Sequence, residues 1–119
     1  MATISRTSTR IQSFGDDAHV HSWTPMTFSG TDQGAPLESP GWSDRSVQVA
    51  GTFGTGGSVR IEGSNDGTNY AALTDPQGNA LDITTAKIEQ IMELTRYIRP
   101  RVTAGDGSTS LTVTILTKK

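Results

Sequence analysis

From Ser46 onward the chain alternates. Val47, Val49, Gly51 and Phe53 interleave with Ser46, Gln48, Ala50 and Thr52. After Gly54-Thr55-Gly56-Gly57, the run Val59-Ile61-Gly63 interleaves with Arg60 and Glu62. A period of two marks half-buried strands, and the glycine-rich link predicts that these two form an antiparallel hairpin. Asn65-Asp66-Gly67 and Asp75-Pro76-Gln77-Gly78-Asn79 are turn sequences, because Asn, Asp and Gly tolerate positive φ. They set off short strands at residues 70–73 and 80–83. Residues 87–94 are ambiguous: Ile88, Ile91 and Met92 have helical spacing, and Lys, Glu, Gln, Met and Leu favour helix. The strand-like surroundings tip this segment towards strand. In Tyr97-Ile98-Arg99-Pro100-Arg101-Val102, Ile98, Pro100 and Val102 share one face, and Tyr97, Arg99 and Arg101 the other. Pro100 cannot donate to a ladder and predicts an edge or a bulge. After the Gly105-Asp106-Gly107 turn, Leu111, Val113 and Ile115 alternate with Thr112, Thr114 and Leu116 in a closing strand.

The beginning of the chain is less regular. Residues 1–18 hold scattered apolar positions, Ile4, Ile11 and Phe14, without a sustained period. They read as an N-terminal arm that orders on a partner, or as a first strand whose pattern is weak. Residues 19–119 read as a single domain. Its opening run, His19 to Phe28, favours strand, and Pro25 suggests an edge position. Residues 29–44 form a long Gly- and Pro-containing loop, of the kind that often carries function. Trp42 either pins that loop to the body or contacts a partner. Strands with turns at intervals of about ten residues read as an all-β fold, a sandwich or barrel.

Composition agrees with this architecture. The 119 residues suit one domain, and with 33% hydrophobic and 6% aromatic residues the core is thin, as in a two-layer sandwich. A net charge of −2 excludes a domain that works chiefly by neutralising phosphates, so no direct nucleic-acid partner is expected. With no cysteine, disulfides and thiol chemistry are excluded. The polar Met1–Arg10 stretch lacks the apolar run of a signal peptide, and no segment approaches the ~20 apolar residues of a membrane span, so no membrane association is expected.

The chain holds few residues in patterns that carry chemistry. There is no Gly-x-Ser-x-Gly elbow, and His19 and His21 are the only histidines, so no triad is expected. The two histidines share a strand face and could contribute two metal ligands. No second cluster of His, Asp or Glu accompanies them, and surface histidines on an edge strand are the simpler reading. Asp16-Asp17 reads as a solvated turn. Ser64 to Asn69 lacks the alternating acids and distal Glu of a calcium loop and reads as a turn. Gly54-Thr55-Gly56-Gly57 lacks the Gly-Lys-Ser/Thr of a phosphate loop. No enzyme activity, metal or cofactor is therefore expected. Arg96, Arg99 and Arg101, with Tyr97, form the one local concentration of positive charge. Arg suits carboxylate contacts and interface cores; the competing reading is a solvated face balanced by Glu62 and Glu93.

The stretch Ser46 to Gly54, then Gly57-Ser58-Val59-Arg60-Ile61-Glu62-Gly63-Ser64-Asn65-Asp66-Gly67-Thr68-Asn69-Tyr70, resembles small phage head proteins, as does Arg96 to Thr103 with Gly105-Asp106-Gly107 and Leu111-Thr112-Val113. These are the decoration, or cement, proteins of tailed bacteriophages, and the resemblance implies their all-β fold, an antiparallel β-sandwich of jelly-roll or Ig-like type. The resemblance covers Arg45 to about Leu116. It implies a structural virion protein, made in the host cytoplasm and seated on the outer capsid surface. There it would bind the major capsid protein as a homo-oligomer, a dimer or trimer, and stabilise contacts between capsid subunits. Binding the assembled lattice in preference to loose subunits stabilises a shell by linkage. The candidate interface residues are Ile4, Ile11, Phe14, Trp42, Arg96, Tyr97, Arg99 and Arg101. The alternative is a carbohydrate-binding or tail (host-attachment) module, since a Gly-Ser-Asn-Asp-Gly-Thr-Asn-aromatic run also occurs in sugar-binding sandwiches. Its candidate aromatics are Trp23, Trp42 and Tyr70.

Overall fold

Two antiparallel-dominated sheets face one another, and the chain passes back and forth between them. A computed structural model describes residues 2–12, 17–28, 32–38 and 40–119. Its strands are β1 (Thr3–Ile4), β2 (Arg6–Gln12), β3 (Ala18–Thr27), β4 (Gln33–Gly34), β5 (Leu37–Glu38), β6 (Asp44–Thr52), β7 (Ser58–Ser64), β8 (Ala71–Ala72), β9 (Asp82–Ile83), β10 (Lys87–Gln90), β11 (Tyr97–Ala104) and β12 (Ser110–Lys118). The five-stranded sheet has the order β10-β6-β12-β3-β2. In the seven-stranded sheet β11 is central, flanked by β7 on one side and by β4 and β5 on the other; β8 and β9 extend β7, and β1 pairs with β4. From β3 onward the path alternates between sheets, first β4 and β5, then β6, then β7 to β9, then β10, β11 and β12. Paired with that strand order, this path is a jelly roll, not an Ig-like sandwich.

The core is the set of inward positions that the alternation supplies. Val47 and Val49 from β6, Val113 and Ile115 from β12, and Trp23 and Met26 from β3 meet Val59 and Ile61 from β7 and Ile98 and Val102 from β11, all at most 2% exposed. Trp23 crosses the gap, and its indole N–H donates to the carbonyl of Ala35 at 3.0 Å. Gly34 is required beside it. A Cβ there would lie 2.6 Å from Pro100 Cδ and 2.7 Å from Trp23 Cδ1.

The expected hairpin of residues 47–63 does not form. β6 pairs with β10 and β12, β7 pairs with β8, β9 and β11, and they lie in different sheets. The glycine link is an arch across the core, with Gly54 and Gly56 at φ of 68° and 70°. A hairpin and an arch bury the same alternating residues, so periodicity could not distinguish them. The expected N-terminal arm is instead built into the sandwich. β1 runs parallel to β4, while β2 pairs along β3 from Arg6↔Trp23 to Gln12↔Ala18, so the chain start closes both sheets along one side. The long loop contains β4 and β5, which pair with β11.

Pro100 lies in the central strand of its sheet, not at an edge, and the bulge of β11 falls later, between Val102 and Ala104. The Val102 N–H donates to Asp32 O, so the Pro100 nitrogen, two residues earlier, faces the same side. There the partner chain breaks between β4 and β5, and no donor is needed. Pro25 lies past the last β2–β3 pair, where β3 has become an edge. The ambiguous segment is a strand only over β10. Ile91 still donates to Arg45 O and is buried, whereas Met92 donates to Thr74 O as the chain leaves the sheet.

Gly34→Ala is expected to cost about 1–3 kcal/mol of stability by overpacking the Trp23–Pro100 contact. Gly41→Ala, with nothing within 4 Å of its Cβ, serves as the control. Urea denaturation measures both, and an unchanged midpoint for Gly34→Ala would contradict this packing.

Candidate interaction surfaces

Charge is concentrated on the outside of the seven-stranded sheet. Alternation turns Tyr97, Arg99 and Arg101 of β11 outward, together with Arg60, Glu62 and Ser64 of β7. The register sets Arg99 opposite Glu62 and Arg101 opposite Arg60. The Glu62 carboxylate, 5% exposed, lies between two guanidinium groups, with Arg99 Nε at 3.1 Å and Arg101 Nε at 3.3 Å. The Arg99 contact is a hydrogen bond; the Arg101 contact is a charge contact without hydrogen-bond alignment. Arg99 also lies over the Tyr70 ring at 3.7 Å, and burial pushes the Tyr70 hydroxyl pKa up. Arg60 pairs with Asp82 at 2.9 Å, and Arg96 with Glu38 at 2.6 Å while lying 5.0 Å from the centre of the Tyr97 ring.

The loop after β7 folds onto this face. Asp66 accepts from the backbone N–H groups of Thr68 and Asn69, both at 2.8 Å, from the Asn69 amide and from the Ser64 hydroxyl. Those donors, the Asn69 N–H foremost, hold its carboxyl well below the usual carboxylate range. The carboxylate is thus used by its own turn. Gly67 comes so close to Tyr97 that a Cβ would sit 3.1 Å from the ring.

The outside of the five-stranded sheet has the opposite chemistry. Outward positions are Thr112, Thr114 and Leu116 on β12, Ser46, Gln48 and Ala50 on β6, Val20 and Ser22 on β3, and Ile88 and Gln90 on β10. Among the described residues this face bears charge only at one end, where Lys118 lies across from Asp44. Ile11 (57% exposed), Ile88 (62%) and Leu116 (37%) are large apolar side chains left in the open. With Val20, Ser46, Gln48 and Thr114 they line a shallow concavity of about 350 Å³. A second concavity of about 290 Å³, lined by Asp44, Arg45, Ser46, Gln90, Leu116 and Lys118, adjoins it.

A third cluster closes one end of the sandwich. His21 is buried, not a surface histidine, with Nδ1 2.7 Å from the Ser8 hydroxyl and Nε2 3.1 Å from that of Thr117. One ring nitrogen donates and the other accepts, so the neutral ring fits and links β2, β3 and β12. Burial, helped by the positive charge of Arg6, lowers its pKa to about 4. His19 stacks on His21 with ring centres 6.0 Å apart and lies tilted against Trp42 at 4.1 Å. The Lys119 ammonium lies 5.9 Å from the Trp42 ring, and the Trp42 carbonyl accepts from Arg45. Among the described residues no three His, Cys, Asp or Glu side chains converge on a common point.

A jelly roll with two chemically opposed sheet faces is the class this geometry defines. The crystal structure of the SPBc2 prophage-derived protein YomS shares the fold, with a TM-score of 0.58 over 96% of this chain and 93% of that one, at 11% identity. Recombinant oxalate oxidase in complex with glycolate aligns at a TM-score of 0.43 and 11% identity, over 95% of this chain and 50% of that one. Iron(II) HppE aligns at 0.39 and 9% identity over the same shares. These two scores are too low to support any functional comparison. No family model matches the sequence, and no curated protein sequence matches it.

The structure thus separates the sequence-derived interface residues. Arg96, Tyr97, Arg99 and Arg101 are together on one face. Ile11 is on the opposite face. Ile4 packs partly buried against the core, and Trp42 is half-buried against His19. Phe14 lies outside the described residues. Sequence reasoning missed Ile88, Val20 and Leu116. The available signal was a leucine at an outward position of the closing strand, where Thr112 and Thr114 set the polar pattern.

Two outcomes test this description. Since the unfolded histidine, near 6.5, takes up its proton before the folded one, near 4, stability is full above about pH 7 and falls between those values. The loss is at most about 3 kcal/mol, read as urea unfolding at about pH 7.5 and 4.5, and His21→Gln should remove this pH dependence. Glu62→Gln should cost about 1–3 kcal/mol, because it weakens the acceptor for two crowded guanidiniums. Glu38→Gln, in an exposed pair, should leave the midpoint unchanged.

Proposed function

We propose that this chain is a structural virion protein of a bacteriophage, a decoration or cement protein on the outer surface of the head. In this reading it binds the major capsid protein, bridges neighbouring capsid subunits, and performs no catalysis. The observation that carries the reading is the arginine–tyrosine face of β7 and β11. Its ordered, partly exposed cations lie on a rigid sheet, suited to acidic groups of a protein surface. Support for a phage origin comes from the likeness to small phage head proteins over Arg45 to Leu116, and from a fold shared along nearly the whole chain with a prophage-derived protein. The carbohydrate-binding alternative has less to draw on: Trp23 is fully buried, Trp42 is half-buried and tilted against His19, and Tyr70 lies under Arg99.

The test uses heads of the encoding phage that lack this chain. Added protein should co-sediment with them and raise their melting temperature. Arg96→Glu, an exposed change away from the core, should weaken binding by about tenfold. Heads that bind no protein would overturn the assignment.

A further inference from the structure

We infer that the outer face of the five-stranded sheet is the contact between two copies of this chain, packed face to face about a two-fold axis. The inference stands apart from capsid binding, and the two can fail separately.

Size supports a second copy. Five strands about 4.8 Å apart, of four to ten residues and about eight on average, rise about 3.3 Å per residue and give a footprint of about 20 by 26 Å. That is about 520 Å² before side-chain corrugation is counted, about two-thirds of the ~800 Å² per partner of a standard interface. Composition supports it too. Interface cores are depleted in charge, and this face holds Ile11, Val20, Ile88 and Leu116 among Thr, Ser and Gln, with its one charged pair at the end.

Charge complementarity assigns the occupant. A two-fold contact sets each patch against its own copy. The arginine face is the poorer candidate, because its cations are already engaged by Glu38, Glu62 and Asp82 and a second copy would offer them no free countercharge. The uncharged face meets its own copy without repulsion, and its hydroxyl and amide groups can pair across the join. Sheets stacked in this way align within about 30° and sit about 10 Å apart, a spacing that Leu116 and Ile88 fill. The dimer then presents its two arginine faces outward, on opposite sides.

Sedimentation equilibrium of the full chain tests this across about 1–100 μM. The expected mass is twice the 12.6 kDa of one chain. Leu116→Lys and, separately, Ile88→Lys should weaken the dimer by about a hundredfold or more, because each buries an unpaired ammonium. Ile88 is 62% exposed on an edge strand, so that variant retains the fold, checked by an unchanged circular dichroism spectrum. A wild-type chain that stays monomeric overturns the inference, as does a dimer that survives both substitutions. A monomer whose binding to heads is abolished by Ile88→Lys assigns the face to the capsid and overturns it as well.

Discussion

The sandwich depends on burying its two inward sheet faces against each other, and Trp23 is where that contact is tightest. With no cysteine, no disulfide ties the sheets together. The thin aliphatic core does so, with one indole crossing the gap and bonded to Ala35 on the far side. The conditions around Trp23 are mutually dependent. Gly34 must lack a side chain, Pro100 must fill the space opposite, and the strand beside Pro100 must break where proline has no donor. The N-terminal residues then seal one side, as Ile4 packs on the core and Arg6 donates to Pro36 O at 3.0 Å.

Once the inward positions are taken by aliphatic side chains, function falls to the outward ones, and these divide by sheet. The β7–β11 face binds its own charges in a lattice around Glu62 and leaves Arg96 and part of Arg101 in the open. The β6–β12 face carries almost none. In a chain that is 18% charged, the described part of this five-stranded face bears charge at one end only. Both described concavities are shallow; one lies on the apolar part of the β6–β12 face and the other at its charged end, beside Asp44, Arg45 and Lys118.

Strand positions and face assignments were legible in the sequence wherever alternation was clean. Tyr97 to Val102 and Leu111 to Ile115 run as expected, and the grouping of Arg99, Arg101 and Tyr97 follows from a period of two. Which strand pairs with which was not legible. Val47 to Phe53 and Val59 to Gly63 bury the same residues whether joined as a hairpin or as an arch, and only tertiary packing selects the arch. Residues 3–12 escaped because edge strands need no strict alternation, and in β2 the register shifts between Arg10 and Gln12. His21 escaped because its burial depends on Ser8 and Thr117, 13 and 96 residues away in the chain. The apolar patch of Ile11, Val20, Ile88 and Leu116 draws on four strands, and no linear pattern signals it.

The central claim is that the two outer faces serve different partners. A cryo-electron microscopy map of the decorated head tests it most directly. The account predicts density for this chain on the outer shell, with β7 and β11 against the capsid protein and β6 and β12 against a second copy. A head without that density, or a chain seated on the shell through β6 and β12, would contradict it.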